Sequence, residues 1–351
     1  MRKLGIWLTL CVVTAIGIVI GWNWHTIYFQ PQALETSYDP GSVAQAEVAV
    51  VAPAVDGDRL WADLEQLNFR RFTESERDQA RRYIVQQLTD AGWTPQFQEF
   101  DGGINIYAER PGTDPSAGTI LLGAHYDSVE QSAGVDDNAT GVAAVLEAAR
   151  LLGDRSTPRT LKLALFDLEE VGLLGSFAFA KDATRIEQLQ GAIVLDMIGF
   201  ACHTDGCQSY PAVLPFTPAT TRGDFLAVIG DQGHMPLIDA FSRAARRELP
   251  TVLTLPVPLL GPFTPDLLRS DHAPFWQAGI GAVLLTDTAN FRNPHYHTET
   301  DTLENVDRPF FTGSSQIVIN AVTQLLHSRN SMATQSVPQR SQSTPARTTR
   351  L

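Results

Sequence analysis

The sequence predicts an α/β domain with a mixed, largely parallel central sheet flanked by helices, preceded by an N-terminal transmembrane helix. Three observations predict it. Short apolar runs bounded by turn residues alternate with amphipathic stretches along most of the chain, the signature of strands joined through helices. The chain has 351 residues and 44% hydrophobic composition, enough for one large core or two modest ones. Its extreme N-terminus carries an uninterrupted apolar run.

That run extends from Leu4 to Trp24 and follows Arg2 and Lys3. About 20 residues rising 1.5 Å each cross a ~30 Å hydrocarbon layer. No Lys or Arg follows until Arg59, whereas Glu35, Asp39, Glu47, Asp56 and Asp58 do. This asymmetry places the N-terminus in the cytoplasm and the remainder on the extracytoplasmic side. The run is long and no A-x-A site follows it at once, so an uncleaved anchor over 1–24 is the favoured reading and a cleaved signal peptide the alternative. Residues 25–57 read as a linker, rich in Pro, Gln and small residues before an Ala/Val stretch.

A helical pattern begins at Asp58. Thr73 and Glu76 form a capping box that opens a helix through Leu88, and Gly92 is placed to close it. Strands are expected at 94–100, 103–109, Thr119–Ala124, Thr160–Phe166, Ala192–Leu195, Phe225–Ile229 and Gly281–Thr286. Helices are expected at Gly141–Leu152, Leu173–Ala180, Pro236–Glu248 and Pro309–His327. The catalytic domain would thus span 58–328, and 329–351, without one acidic residue, reads as a disordered tail.

Net charge is −13, which disfavours a nucleic-acid partner, since phosphate backbones require clustered Lys and Arg. Cys11 lies inside the apolar run as a small hydrophobe. Cys202 and Cys207 fall in the exported part, where an oxidising compartment favours a disulfide between them.

In an open α/β sheet, ligands bind beyond the carboxyl ends of the strands. His125 and Asp127 follow the run Thr119–Ala124, Glu169 and Glu170 follow Thr160–Phe166, and Asp196 follows Leu195. His297 comes a loop after Gly281–Thr286. Taken singly, each piece is ordinary: a polar pair, an acidic turn, or, for Asp136, Asp137 and Asn138, a helix N-cap. Their convergence on one sheet edge is not.

The ordered segments AHYDS, GVDDNATG, FDLEEVGLLGS, VLDM, SDHAPFWQAGI and HYHTETDT resemble the co-catalytic two-zinc aminopeptidases, the bacterial leucyl aminopeptidase family, to which glutaminyl cyclases are also related. The resemblance covers roughly 75–325 and implies a zinc exopeptidase fold with two Zn2+ ions. It implies that His125 and Asp196 hold one ion, Glu170 and His297 the other, and that Asp137 bridges both. Imidazole and carboxylate suit a borderline divalent ion, and a shared anion offsets the repulsion of two such ions about 3.5–4 Å apart. Asp127 would orient His125 through its ring N–H. Glu169 would be the general base, taking a proton from a metal-bound water whose hydroxide attacks the peptide carbonyl.

The function implied is hydrolysis of N-terminal residues from peptides by a membrane-anchored metalloprotease. A glutaminyl cyclase using one zinc is the nearest alternative, and a non-catalytic peptidase-like ectodomain is another; carboxypeptidase and dipeptidase action stay open. His297 is preferred to His295 because the pattern His-Thr-x-x-Asp falls on His297, Thr298 and Asp301. Asp271 reads as a helix N-cap and His272 as structural or pocket-lining. Some family members carry an oxyanion-stabilising tyrosine shortly before SDH. Here Leu267, Leu268 and Arg269 stand there, so Arg269 either takes over that charge or forms a salt bridge. Residues 199–223 read as an insertion of the kind that forms lids or specificity elements.

Overall fold

Eight strands form one sheet in the order β1-β2-β4-β3-β5-β8-β6-β7. The computed structural model describes residues 50–211, 220–258 and 265–334, and the expected anchor at 1–24 and most of the 25–57 linker lie outside them. Among the described residues no helix is long and apolar enough to cross a membrane.

The strands are β1 (Gln96–Phe100), β2 (Gly103–Arg110), β3 (Thr119–His125), β4 (Thr160–Phe166), β5 (Leu189–Leu195), β6 (Phe225–Asp231), β7 (Thr251–Val257) and β8 (Ala282–Thr286). β4, β3, β5 and β8 run parallel in the middle; β1, β2 and the β6–β8 pairing are antiparallel. The parallel strands need crossovers, which the helices supply. These are α1 (Gly57–Leu67), α2 (Glu74–Asp90), α3 (Gly141–Leu152), α4 (Leu174–Lys181), α5 (Ala183–Ile186), α6 (Met235–Ala244), α7 (His272–Gln277) and α8 (Arg308–His327).

Alternation along the buried strands divides the core. Ile120, Leu122 and Ala124 of β3 face α1, α2, α3, α6 and α8, together with Leu163 and Leu165 of β4. Leu121, Ala164 and Phe166 face the opposite way, against Phe179 of α4 and Phe275 and Trp276 of α7. Both halves of the α2 capping box are formed, with Glu76 N donating to Thr73 and Thr73 N to Glu76.

The structure corrects the expected elements in four places. β7 was absent from the expected strands, and it carries Pro256 near its end; it lies at the sheet edge, where a missing ladder donor is tolerated. Strand β5 begins at Leu189 rather than Ala192, whereas the short helix α7 forms directly after Asp271, where the N-cap reading expected a helix to start. Helix α6 stops at Ala244 rather than Glu248, because Ala245 leaves the helical region at φ −57° and ψ 140°. The tail expected to be disordered from 329 is packed as far as Thr334. Arg159 donates to the carbonyls of Ser328 and Asn330, Met332 is buried, and Thr334 N donates to Gly233 O.

Candidate metal centre

The parallel register brings the carboxyl ends of four strands level. His125 pairs with Phe166 across β3 and β4, Gly123 with Val194 across β3 and β5, and Leu195 with Leu285 across β5 and β8. His125 ends β3, Glu169 and Glu170 stand three and four residues past Phe166, and Asp196 follows Leu195. His297 arrives on the loop after β8 with φ 59°, a left-handed backbone that His adopts more readily than most residues.

All five candidate ligands meet. His125, Glu169 and Asp196 each bring one ligand atom within 4.8 Å of the others, and Asp137, Glu170 and His297 do the same. Asp137 links the two groups: its Oδ1 lies 3.3 Å from His125 Nε2 and its Oδ2 3.2 Å from His297 Nε2. Asp196 Oδ1 is 3.6 Å from His125 Nε2, and Glu170 Oε2 is 3.0 Å from His297 Nε2. His297 Nε2 and Glu170 Oε1 are buried without a hydrogen bond of good geometry. Lone pairs crowded together yet not aimed at one another fit a donor set arranged around cations, and imidazole with carboxylate suits zinc.

The charges agree. Burial alone would lower the His297 imidazole, but the Asp137 and Glu170 carboxylates close to its Nε2 raise it to about 10. Burial likewise opposes ionisation of His125, and the Glu169 charge, then Asp127, Asp137 and Asp196, carry it well above its ordinary value. Burial pushes Glu170 up to about 7 and Glu169 well above the usual carboxylate range. Asp137 goes the other way, held low against its burial by the two imidazoles.

A surrounding set of buried groups fixes these side chains. Asp127 Oδ1 lies 3.4 Å from His125 Nδ1, and its two oxygens accept from Glu169 N at 3.1 Å and Glu170 N at 3.2 Å. It therefore ties the acidic turn to β3 as well as facing the imidazole. Asp301 accepts from Asp136 N and Asp137 N at 2.8 and 3.2 Å. Asp136 points away from the centre and accepts from Gly199 N and Asn293 Nδ2. Asp167, two residues before Glu169, is gripped by Arg77 at 2.9 Å and Arg81 at 3.2 Å, both from α2.

Sequence reasoning missed Arg71. Its side chain is fully buried, and its guanidinium donates to five carbonyl oxygens, those of Leu67, Phe69, Tyr126, Ala133 and Gly134. Its backbone N donates to Ser128 Oγ. One cation thus clamps the loop after β3 to the loop that leads into Asp137. No spacing motif announces such a residue, because its partners are main-chain atoms.

The reading of Asp271 as an N-cap is corrected. Its backbone is helical, its side chain makes no capping bond, and both carboxylate oxygens are buried without a partner. Burial pushes this carboxyl to about 7. His272 donates through Nε2 to Leu267 O, and burial lowers its imidazole to about 4; it stands apart from the ligand groups. His295 also stands apart, with Nδ1 2.8 Å from Thr300 Oγ1.

The centre opens into a cavity of about 490 Å³ with an apolar wall that includes Leu173, Met197, Phe225, Ile229, Leu255 and Leu284. Tyr296 was also missed. Its ring stacks on His297 at 3.7 Å, and its hydroxyl accepts from Arg269 Nη2 at 3.0 Å. The 199–223 segment contributes Gln208, Ser209, Tyr210 and Pro211 to the wall. Behind them Cys202 and Cys207 form a disulfide.

The fold and its donor set are those of a metal-dependent hydrolase of the peptidase type. Residues 105–322 match the profile of peptidase family M28, and the chain belongs to that family. It is 33% identical over 225 residues to the uncharacterized protein YfbL of Escherichia coli (strain K12), covering 60% of this chain and 67% of that one. Over 221 residues it is 30% identical to "Probable lipoprotein aminopeptidase LpqL" of Mycobacterium tuberculosis (strain ATCC 25618 / H37Rv), covering 58% of this chain and only 42% of LpqL. Two solved structures share the fold: an aminopeptidase from Aneurinibacillus sp. strain AM-1, TM-score 0.60 at 18% identity over 81% of this chain and 97% of that one, and BSAP, a zinc aminopeptidase from Bacillus subtilis, TM-score 0.51 at 24% identity over 64% and 50%.

Proposed function

We propose that this chain is a two-zinc exopeptidase that removes N-terminal residues from peptides. The observation that carries the reading is the Asp137 carboxylate, one oxygen toward His125 and the other toward His297. His125 and Asp196 would hold one zinc, Glu170 and His297 the second, and Asp137 both. Zinc supplies Lewis acidity there, polarising the peptide carbonyl and making a water easier to deprotonate.

The protein's own groups do the rest. Glu169, buried beside His125 and Asp196, takes the proton of the attacking water and returns it to the leaving amine. Asp127 keeps the Glu169 backbone and the His125 ring in register. The Tyr296 hydroxyl, which accepts from Arg269, keeps its own proton free to donate to a developing oxyanion. The apolar wall takes the side chain of the N-terminal residue and excludes water. The Cys202–Cys207 disulfide supports placing the domain on the extracytoplasmic side, tethered by the Leu4–Trp24 segment.

Metal analysis and kinetics on a leucyl amide test the reading. Two zinc ions per chain and hydrolysis are expected. Glu169→Gln should keep both ions and lose about 10²–10⁴ in turnover. Undiminished turnover in that variant refutes the role of Glu169, and cyclisation of a Gln-initiated peptide without amide hydrolysis would reassign the enzyme as a cyclase.

A further inference from the structure

The lining of the cavity is acidic around the metal centre, with Asp137, Glu169, Glu170 and Asp196, and Asp266 stands further out. Among the described lining residues Arg269 is the sole Lys or Arg. Two neutral groups orient its guanidinium: Nη1 donates to Asn290 Oδ1 and Nη2 to Tyr296 Oη, each at 3.0 Å. The nearest carboxylate, Asp266, is 3.7 Å away, and its side chain is 39% exposed, so that pair neutralises little of the charge. Arginine has five N–H donors. These two bonds use two of them, and the side chain is 45% exposed. A cation held in place, with donors that no described residue takes, at the rim of a cavity that is acidic at the metal centre and apolar along its wall, is arranged for an incoming anion.

Its position sets which anion. Tyr296 stacks on His297, and Arg269 holds the far end of the same phenol. The guanidinium carbon stands 5.9 Å from the centroid of the Tyr296 ring, which itself lies 3.7 Å from the ring of His297. One residue of extended chain spans at most ~3.6 Å. With the scissile carbonyl at the metal centre, the group one residue beyond it is the C-terminal carboxylate of a dipeptide. In a tripeptide that carboxylate moves a further residue out. Guanidinium forks pair with carboxylates through two parallel bonds, which adds direction to affinity.

We propose that Arg269 recognises the free C-terminal carboxylate of dipeptides, making them the preferred substrates of the site. This rests on the exopeptidase reading above. The bland alternative is a tie between the 265–268 turn and the 289–296 loop, which would give no discrimination among substrates. A second alternative, oxyanion stabilisation by Arg269, would act equally on acids and amides.

The test compares Leu-Ala, Leu-Ala-amide and Leu-Ala-Ala as substrates of the zinc-loaded enzyme. In parallel, calorimetry measures binding of the reduced-bond analogue of Leu-Ala, with CH2–NH in place of the peptide bond, as free acid and as carboxamide. We expect the free acid to bind about tenfold more tightly than its carboxamide, the strength of a charge-assisted pair. The same preference should appear as a lower KM for Leu-Ala than for its amide or the tripeptide. Arg269→Gln should bring the acid-to-amide ratio close to one, and Arg269→Lys should recover part of it. Equal affinity of the wild-type protein for acid and carboxamide overturns the proposal without any variant. An acid preference that survives Arg269→Gln also overturns it, including where that variant loses rate on acid and amide alike. Failure to hydrolyse any of the three peptides sinks the exopeptidase reading, while the binding ratio still decides the role of Arg269.

Discussion

Replacing Arg71 by lysine tests whether a single buried cation holds the metal centre together. Arginine here satisfies five carbonyl oxygens from three stretches of chain. Leu67 O and Gly134 O also accept from Phe69 N and Ala139 N, so the carbonyls of Phe69, Tyr126 and Ala133 are the ones that depend on Arg71. Lysine keeps the charge on a single nitrogen that cannot stand where both Nε and Nη1 stand, so at least one of the three loses its partner. An unpaired buried carbonyl costs about 1–3 kcal/mol. That is a sizeable share of the ~5–15 kcal/mol that holds a typical domain folded. With a urea slope of about 3 kcal/mol/M, the unfolding midpoint should fall by roughly 0.3–1 M. Two of the five carbonyls, Ala133 and Gly134, immediately precede the Asp137 loop, so zinc affinity should fall as well. Urea titration of the metal-free protein and zinc calorimetry read the two effects separately. If Arg71→Lys keeps both the midpoint and the zinc affinity, the clamp is incidental and the reasoning fails. Losing the midpoint alone would confine Arg71 to folding.

Zinc binding should strengthen with pH. The metal-free protein holds its His297 proton up to about pH 10, against 6.5 when unfolded, so it binds more protons than the unfolded chain across that window. Its stability therefore falls as pH rises through the window. Zinc displaces those protons, so the zinc-induced rise in Tm should widen from pH 7 to 9; a rise that narrows contradicts the assignment. Gly134→Ala should abolish tight zinc binding, because Gly134 sits at φ 63° and a Cβ there would lie 2.3 Å from Asp137 O. Calorimetry showing native affinity in that variant would argue that the loop tolerates re-shaping. Replacing Cys202 and Cys207 together by serine should raise KM several-fold with zinc content intact, since the disulfide closes the turn that runs directly into the wall residues Gln208 to Pro211. Unchanged KM would mean that the bonds of Gln208 with Arg292 and of Ser209 with Phe291 hold the wall unaided.

Much of the centre was legible because its residues announce themselves locally. His125, Glu169, Glu170 and Asp196 each follow an apolar run, and parallel strands cannot pair in register without bringing those ends together. Asp137 and His297 were legible through the wording of their loops. What stayed hidden depends on contacts distant in sequence. The partners of Arg71 are carbonyls as many as 63 residues away, which leave no mark on side-chain patterning. Asp271 has the local look of a cap, yet the burial of its carboxylate among other acids is decided by how α7 packs. Strand β7 was hidden by Pro256, a residue that argues against a strand until its place at the edge is known. Tyr296 was read past in favour of its neighbour His297, and only the stacked rings show that the two act at one place.

The braces contributed by Arg71 and by α2 bear on where this enzyme can be cut. The stretch shared with the family begins at residue 105, but Arg71, Arg77 and Arg81 all lie upstream of it. A polypeptide trimmed to 105–322 would keep every candidate zinc ligand while stripping Asp167 of both counter-charges and the 133–134 turn of its anchor. A piece that keeps these braces therefore has to start before Arg71. Stretches recognisable across distant relatives and stretches needed for self-sufficiency are different sets of residues in this chain.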